Sequence, residues 1–318
     1  MNHRTIFTAA RFCAAFGAAT LGADLASAAP PLVFAAGQET VALSIGNALD
    51  AGTPQNIAFD PTLGRYYGGT GGSTNDSAYV WDATGQLVQA FHPINIDLRA
   101  MNFNPVTGGI EAVTFDARSG NGSGALMALA RDADGLFTST MATPLLASMP
   151  GVIDEQSAPV YDPARHAFYS LGTQSDPALA GHVNVVSRTN GALVGQIKLD
   201  LAAAGSPTLQ GEFIGFDPAV QALIGMTADR TQAMVFSSRD GSFLGASTLP
   251  SFSTESIPEG FGYGNGHLFV FDSAQREYRG FDVINTAAVP EPSDFALLAL
   301  GLPLLAEARR RVRAAGDA

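Results

Sequence analysis

The sequence predicts an all-β fold, a β-propeller of five four-stranded blades. Three observations carry this prediction: a repeat of about fifty residues, a hairpin turn at the same place in each copy, and a composition rich in turn-forming residues. The chain has 35 glycines and 18 prolines among 318 residues, and 46% of its residues are hydrophobic. A chain of this length can bury a sizeable core, and this composition requires many turns.

The repeat is marked by an aromatic residue, then Asp or Asn, then Pro, here termed the aromatic-Asx-Pro motif. Its copies are, in chain order, Phe59-Asp60-Pro61, Phe103-Asn104-Pro105, Tyr161-Asp162-Pro163 and Phe216-Asp217-Pro218, with Tyr263-Gly264-Asn265 as a degenerate fifth. In the first four copies a hairpin turn follows, and these turns end in Gly85, Gly135, Gly191 and Gly241. Asn-Gly and Asp-Gly between alternating apolar runs are strong hairpin signals. Four short strands per copy are typical of a propeller blade.

The two ends of the repeat region predict how the ring closes. A hairpin-like unit from Leu32 to Ile45 precedes the first full copy, and the last copy, from Gly260 to Ile284, is one strand short. Joining the first strand to the last blade explains both features, since closure leaves no exposed sheet edge. Six blades are the second choice and a β-sandwich the third. The repeats resemble propeller families with YVTN or NHL-type blades, which implies an architecture for about 250 residues but no activity.

The N-terminus has the order of a secretory signal peptide. Arg4 and Arg11 precede an apolar run, and small residues follow, with Ala26 and Ala28 at the positions that signal peptidase reads. Cleavage after Ala28 is expected. It removes Cys13, the single cysteine of the chain, so the mature protein has no disulfide and no thiol chemistry.

The C-terminus has three parts in a set order: Val289-Pro290-Glu291-Pro292, an apolar stretch from Phe295 to Ala306, and the basic residues Arg309, Arg310 and Arg311. This order resembles the PEP-CTERM sorting tail. The resemblance implies processing by an exosortase, a membrane cysteine transpeptidase of Gram-negative bacteria that make exopolysaccharide. The apolar stretch spans about 18 Å as a helix against a bilayer core of about 30 Å. It predicts a transient association with the inner membrane.

These signals divide the chain into a signal peptide (1–28), a propeller (29–288) and a sorting segment (289–318), each end segment carrying one predicted helix. Between Pro30 and Pro290 there are 11 Lys and Arg against 24 Asp and Glu, a net charge of −13. Such a surface repels phosphate backbones, which excludes nucleic acid as an expected partner. Secretion across the inner membrane predicts a final location at the cell surface or in the extracellular matrix.

The first strand of each propeller blade lines the central channel, so residues just before the repeated aromatics are expected to meet at one mouth. Four positions upstream of each aromatic lie Gln55, Arg99, Ser157, Glu212 and Glu259. Glu212 and Glu259 are candidate Ca²⁺ ligands, because Ca²⁺ is satisfied by carboxylate, amide and water oxygens. The alternative is a set of polar residues that hydrates a water-filled channel. The segment around Glu259 resembles a strand of sugar-lactonase propellers, which implies a metal-ligand role for Glu259 alone.

The sequence contains no nucleophile elbow and no His-Glu-x-x-His motif. The predicted function is therefore a binding or structural module of the cell surface or exopolysaccharide matrix, with exopolysaccharide or other surface proteins as partners. The alternative is a Ca²⁺-dependent hydrolase or lactonase-like enzyme. Trp81 and the phenylalanines of the strands are expected to pack in the core, with carbohydrate stacking as the alternative role. The glycine segment from Gly68 to Ser73 is expected to be a flexible loop.

Overall fold

A computed structural model describes residues 32–48, 52–73, 77–115, 124–154, 156–173, 176–206, 208–250 and 260–285. The signal segment with Ala26 and Ala28, the sorting segment with Val289 to Pro292 and the C-terminal arginines, and the helices predicted in both lie outside these residues. The described part is all-β apart from one 3₁₀ turn, Gly46–Ala48. No helix in it is long and apolar enough to cross a membrane.

The strands form five separate antiparallel sheets, which are the five predicted blades. Blade 1 contains β2 (Thr53–Pro54), β3 (Ala58–Asp60), β4 (Arg65–Gly71), β5 (Ser77–Asp82) and β6 (Leu87–Pro93). Blade 2 contains β7 (Leu98–Asn104), β8 (Gly109–Thr114), β9 (Leu126–Leu129) and β10 (Thr143–Leu146). Blade 3 contains β11 (Val160–Asp162), β12 (Ala167–Leu171), β13 (His182–Ser187) and β14 (Leu193–Lys198). Blade 4 contains β15 (Gly215–Asp217), β16 (Ala222–Met226), β17 (Gln232–Ser237) and β18 (Phe243–Thr248).

Blade 5 is completed by the first strand of the described chain, as the sequence predicts. It contains β19 (Phe261–Gly264), β20 (His267–Asp272), β21 (Glu277–Asn285) and, outermost, β1 (Val33–Ser44). β1 runs antiparallel to β21, with Val33 opposite Asn285 and Ser44 opposite Glu277. The innermost strands β3, β7, β11, β15 and β19 follow one another around the axis, and β19 contacts β3. The five-bladed ring is therefore closed, and the six-bladed and sandwich alternatives are wrong.

Each aromatic-Asx-Pro motif forms the turn between the first and second strands of its blade. The Asp or Asn side chain accepts a hydrogen bond from the backbone N–H two residues later, at 2.8 to 3.0 Å. Pro follows it because the turn needs no amide proton there. Four residues after the Asx, the backbone has positive φ in every full copy, at Gly64, Gly108, His166 and Gln221.

The hairpin turns between the third and fourth strands attach each blade to the one before it. Gly85, Gly135, Gly191 and Gly241 all have positive φ, between 69° and 88°. A Cβ added at Gly85 would collide with the carbonyl of Ala42 in β1, and one at Gly241 with the carbonyl of Lys198 in β14. Glycine is required here both by the backbone conformation and by the close approach of the preceding blade.

The glycine segment after Tyr67 is not a loop, in contrast to the sequence expectation. Gly68 to Gly71 belong to β4. A Cβ at Gly68 would lie 2.7 Å from Ile57 Cδ1, and one at Gly71 would collide with the carbonyl of Leu98 in blade 2. These glycines therefore serve strand and blade packing.

Candidate functional site

The central channel has two ends that differ in chemistry. Each innermost strand runs from a polar end toward the face that carries the aromatic-Asx-Pro turns. Here the end upstream of the aromatics is termed the polar mouth, and the end at the turns is termed the aromatic mouth. The sequence predicts the site at the polar mouth.

At the polar mouth, Gln55 and Arg99 are buried, with 1% and 8% of their surfaces exposed. Both approach Gly71, since a Cβ there would lie 3.0 Å from Gln55 Nε2 and 2.9 Å from Arg99 Nη1. Arg99 Nη1 donates to Asp97 Oδ1 at 3.0 Å, and the guanidinium lies 4.6 Å above the centre of the Phe115 ring. The Arg99 side chain is thus bound to its own blade.

The other predicted residues of the polar mouth lie between blades 3 and 4, and Ser157 is buried there with its Oγ 2.7 Å from Ser170 Oγ. Glu212 accepts a hydrogen bond from the hydroxyl of Thr173, whose N–H donates to Asp154 Oδ2 at 2.8 Å. Glu259, the other proposed Ca²⁺ ligand, lies outside the described residues.

Two carboxylates therefore share one threonine at the polar mouth. Burial raises the pKa of Asp154, and the nearby charge of Glu212 raises it further, although backbone N–H donors oppose this shift. A divalent cation would relieve this repulsion, and carboxylate and hydroxyl oxygens are ligands that Ca²⁺ accepts. Within the described ranges, no three Asp, Glu, His or Cys side chains are grouped to hold a metal. The described residues supply only part of a Ca²⁺ site.

At the aromatic mouth, a cavity of about 560 Å³ joins all five blades. Its wall includes the aromatic residue of every repeat copy: Phe59, Phe103, Tyr161, Phe216 and Tyr263. Four turn prolines continue the wall: Pro61, Pro105, Pro163 and Pro218. Phe59, Phe103 and Tyr263 are only half-buried. Tyr161 and Phe216 are buried members of the apolar core, and Phe59, Phe103 and Tyr263 pack against it while also bordering the cavity.

The sequence contains the signal that identifies this cavity, namely the repeat itself. Residues at one position of each repeat of a closed ring must meet around the axis. The residues four positions upstream of the aromatics lie at the opposite end of the channel, the polar mouth. The spacing of the repeats predicts that equivalent residues meet around the axis. It does not predict which end of the channel carries a cavity.

Two asparagine side chains at the aromatic mouth form hydrogen bonds between neighbouring blades. Asn56 donates to the carbonyl of Met101 at 3.0 Å and accepts from the Met101 N–H at 2.7 Å. Asn102 makes the same pair of bonds to blade 3, to the carbonyl of Pro159 at 3.0 Å and from the N–H of Tyr161 at 2.9 Å. These two amides connect three consecutive innermost strands, and each uses one of its two N–H donors and one of its two acceptor positions to do so.

The buried Asx residues behind the mouth differ in how their charge is balanced. Asp60 forms an ion pair with Arg131 at 3.1 Å, and Asp162 lies 3.8 Å from the guanidinium of Arg165. Asn104 carries no charge. Asp217 is 4% exposed and borders the cavity. Its Oδ2 accepts a 2.7 Å hydrogen bond from the Tyr263 hydroxyl.

This environment raises the pKa of the Tyr263 phenol. Burial raises its pKa well above the usual value, and the Asp217 carboxylate raises it further. The phenol is therefore a neutral donor over the whole physiological range. A phenol that donates to a carboxylate has a more electron-rich ring, which increases the negative potential of the ring faces.

No protein-family model matches the sequence, and no curated protein matches it significantly. Among the solved structures that are similar to this chain, the following three have low sequence identity to it. The glutaminyl cyclase of Myxococcus xanthus is 10% identical, with 80% of this chain and 100% of that chain covered and a TM-score of 0.49. A gluconolactonase of Xanthomonas campestris is 15% identical, with 80% and 87% covered and a TM-score of 0.38. A chain of a nidogen/laminin complex is 14% identical, with 76% and 84% covered and a TM-score of 0.42. These values show neither a family nor an activity for this chain.

Proposed function

We propose that the protein is an exported, exosortase-processed component of the cell surface or exopolysaccharide matrix, and that its propeller is a binding module. One observation carries the binding role: equivalent residues of all five blades line a single cavity of about 560 Å³ at the aromatic mouth. A concave, mainly apolar cavity with few polar groups is the usual form of a ligand site.

The export half of the proposal is supported by the two sequence signals, the signal peptide before Ala28 and the Pro290-Glu291-Pro292 tail. It is tested by fractionating cells with and without the exosortase. We expect the protein on the outer surface only when the enzyme is present. Equal surface abundance in both strains would contradict the sorting role.

The binding half is tested by the substitution Phe103→Ala, which removes one wall of the cavity. The matched control is Phe243→Ala, because Phe243 is also half-buried but lies in the outermost strand of blade 4. Immobilised full-length proteins are exposed to purified matrix polysaccharide and, separately, to extracted surface proteins. We expect Phe103→Ala to lose capture of one of these and Phe243→Ala to retain it. Equal capture by both folded variants would reject the aromatic mouth as the site.

A second candidate function, Ca²⁺-dependent hydrolysis or lactone opening, is favoured by the Asp154 and Glu212 carboxylates that share Thr173 at the polar mouth. A cation bound only to the folded state raises the melting temperature. If this function is correct, Ca²⁺ raises the melting temperature of the wild-type chain and not that of Glu212→Gln. The absence of a shift in the wild-type chain would remove this candidate.

A further inference from the structure

Among the described residues of the aromatic mouth, Asp217 is a buried carboxylate without an ion-pair partner. In the first and third copies of the repeat, an arginine accompanies the motif carboxylate, Arg131 for Asp60 and Arg165 for Asp162. Asp217 receives only hydrogen bonds, from the N–H groups of Ala219 and Val220 and from the Tyr263 hydroxyl. In the described part of the chain, no basic side chain lies within ion-pair distance of Asp217. A buried carboxylate is costly without a cationic partner.

The wall around this charge has the composition of a cation-binding cage. Five aromatic residues surround the cavity, and its described lining contains no Lys, Arg or His. The negative faces of aromatic rings attract cations within about 6 Å of the ring centre, and alkylated ammonium groups are the ligands for which such cages are best suited. An acidic protein, with a net charge of −12, also favours the approach of a cation.

The alternative ligand, a neutral glycan, matches the cavity less well. Sugar hydroxyls require hydrogen-bond partners when they leave water. At this mouth, the Asn56 and Asn102 amides each commit one donor and one acceptor position to bonds between blades, the Tyr161 hydroxyl lies 3.2 Å from His166 Nδ1, and the Tyr263 hydroxyl donates to Asp217. A glycan would also leave the Asp217 charge unbalanced.

We infer that the aromatic mouth binds an alkylated ammonium group presented by its partner, with the five aromatic rings around the cation and Asp217 as its counter-charge. This inference rests on the proposed binding function, because it names the chemistry that the same cavity recognises. Tyr263 connects the two parts of the site, since its ring lines the cavity and its hydroxyl donates to the carboxylate.

The test compares choline with 3,3-dimethylbutan-1-ol, which has the same shape with a carbon atom in place of the ammonium nitrogen. Binding of each compound to the full-length chain is measured by calorimetry. We expect choline to bind about ten-fold or more tightly than the neutral compound, since shape and apolar area are matched and charge is not. Equal binding of the two compounds would overturn the inference, and so would the absence of choline binding.

The role of Asp217 is tested by Asp217→Asn, with Asp162→Asn as the matched control. Asn104 occupies the same position in blade 2 and forms the same turn, so both variants are expected to fold. Asp162 does not border the cavity. We expect Asp217→Asn to weaken choline binding about ten-fold and Asp162→Asn to leave it unchanged. Equal effects of the two substitutions would overturn the assignment of Asp217.

Failure of this inference can be separated from failure of the proposed function. If choline does not bind but Phe103→Ala still abolishes capture of a surface or matrix partner, the cavity is a binding site for another chemistry. If choline does not bind and Phe103→Ala captures partners as well as the wild-type chain does, both the inference and the binding function are wrong.

Discussion

At the scale of single residues, the main role of the second position of the repeat motif is to form a turn. Asp60, Asn104, Asp162 and Asp217 each accept the backbone N–H two residues later. The remaining oxygen or amide is then free to connect to another element. In blade 2 this connection is a chain of three groups: Asn104 donates to Glu111 at 2.8 Å, and Glu111 pairs with Arg188 of blade 3.

The Glu111–Arg188 pair is expected to contribute strongly to the joint between blades 2 and 3. The Glu111 side chain is 3% exposed and is held by two hydrogen bonds from Arg188, at 2.5 and 2.9 Å. Arg188→Met leaves this carboxylate buried without a cation, so we expect a loss of about 3 kcal/mol in the free energy of unfolding. Adding Glu111→Gln should restore part of it, because the uncompensated charge is removed. Urea unfolding of both variants measures this, and no recovery in the double variant would contradict the mechanism.

Asp154 gives the stability a pH dependence of defined sign. Its folded-state pKa is raised above the usual value of an aspartate, chiefly by burial. The folded state therefore holds the proton more tightly than the unfolded state does. The resulting stabilisation is present below the unfolded value and is lost as the pH rises through the raised pKa.

We expect the wild-type chain to lose stability relative to Asp154→Asn as the pH increases from about 4 upward. Melting temperatures of both proteins are compared across this range, with EDTA present to exclude bound cations. A constant difference between the two proteins would show that Asp154 has the same pKa in the folded and unfolded states.

The motif residues were visible in the sequence, but their partners were not. An Asp before Pro predicts a turn because the local hydrogen bond involves only neighbours in the chain. The pairing of Glu111 with Arg188, or the lack of a cation at Asp217, depends on which blade lies next to which and at what height. Such contacts depend on how the blades are arranged in the ring, and a single sequence carries no local signal for them.

At the scale of elements, the hairpin glycines are the points where one blade rests on the previous one. We expect Gly241→Ala to cost about 2–4 kcal/mol, because the new methyl group meets the carbonyl of Lys198 in blade 3 and the backbone has φ of 78°. Gly108→Ala is the matched control, since its φ is 66° but nothing lies within 4 Å of the added Cβ. It should cost about 1 kcal/mol.

Thermal unfolding of the two variants separates the cost of positive φ in alanine from the cost of the steric contact with blade 3. A larger loss for Gly241→Ala assigns the difference to the close approach of blades 3 and 4. Equal losses would mean that the hairpin turn moves away from blade 3 without cost, and the blade joint would then not depend on this contact.

The number of blades, the turns and the closing strand were all predictable, because each has a short-range signal repeated along the chain. The role of Gly68 to Gly71 was not. Glycine-rich stretches usually indicate loops, and here they indicate a strand against which Leu98 of the next blade lies without space for a side chain. A glycine-rich stretch can form either a flexible loop or a closely packed strand, and the position of the neighbouring blade determines which of the two forms.

At the scale of the whole molecule, the ring is closed by β1, and the single tryptophan reports on this closure. Trp81 is fully buried, and its indole N–H donates to the carbonyl of Ser44 at the end of β1, at 2.9 Å. Leu43 lies beside it in the same apolar cluster and is also fully buried. Loss of β1 would expose the indole ring to water.

We expect Leu43→Ala to cost about 2–5 kcal/mol and to shift the tryptophan fluorescence transition to lower denaturant. Leu244→Ala is the matched control, because Leu244 is on the outermost strand of blade 4 and is 39% exposed. If closure holds the ring together, the circular dichroism transition of Leu43→Ala should shift along with the fluorescence. Fluorescence that changes alone would show that β1 detaches while the other blades remain folded.

The closing sheet also determines how the molecule would bear mechanical force. The last described residue, Asn285, ends β21, which has hydrogen-bonded neighbours on both sides, β20 and β1. Tension applied along β21 would load the hydrogen bonds to both neighbours in shear at the same time. An outermost strand would instead be peeled away one bond at a time. If the protein is attached through its C-terminus as proposed, the last described strand is therefore one that is hydrogen-bonded on both sides.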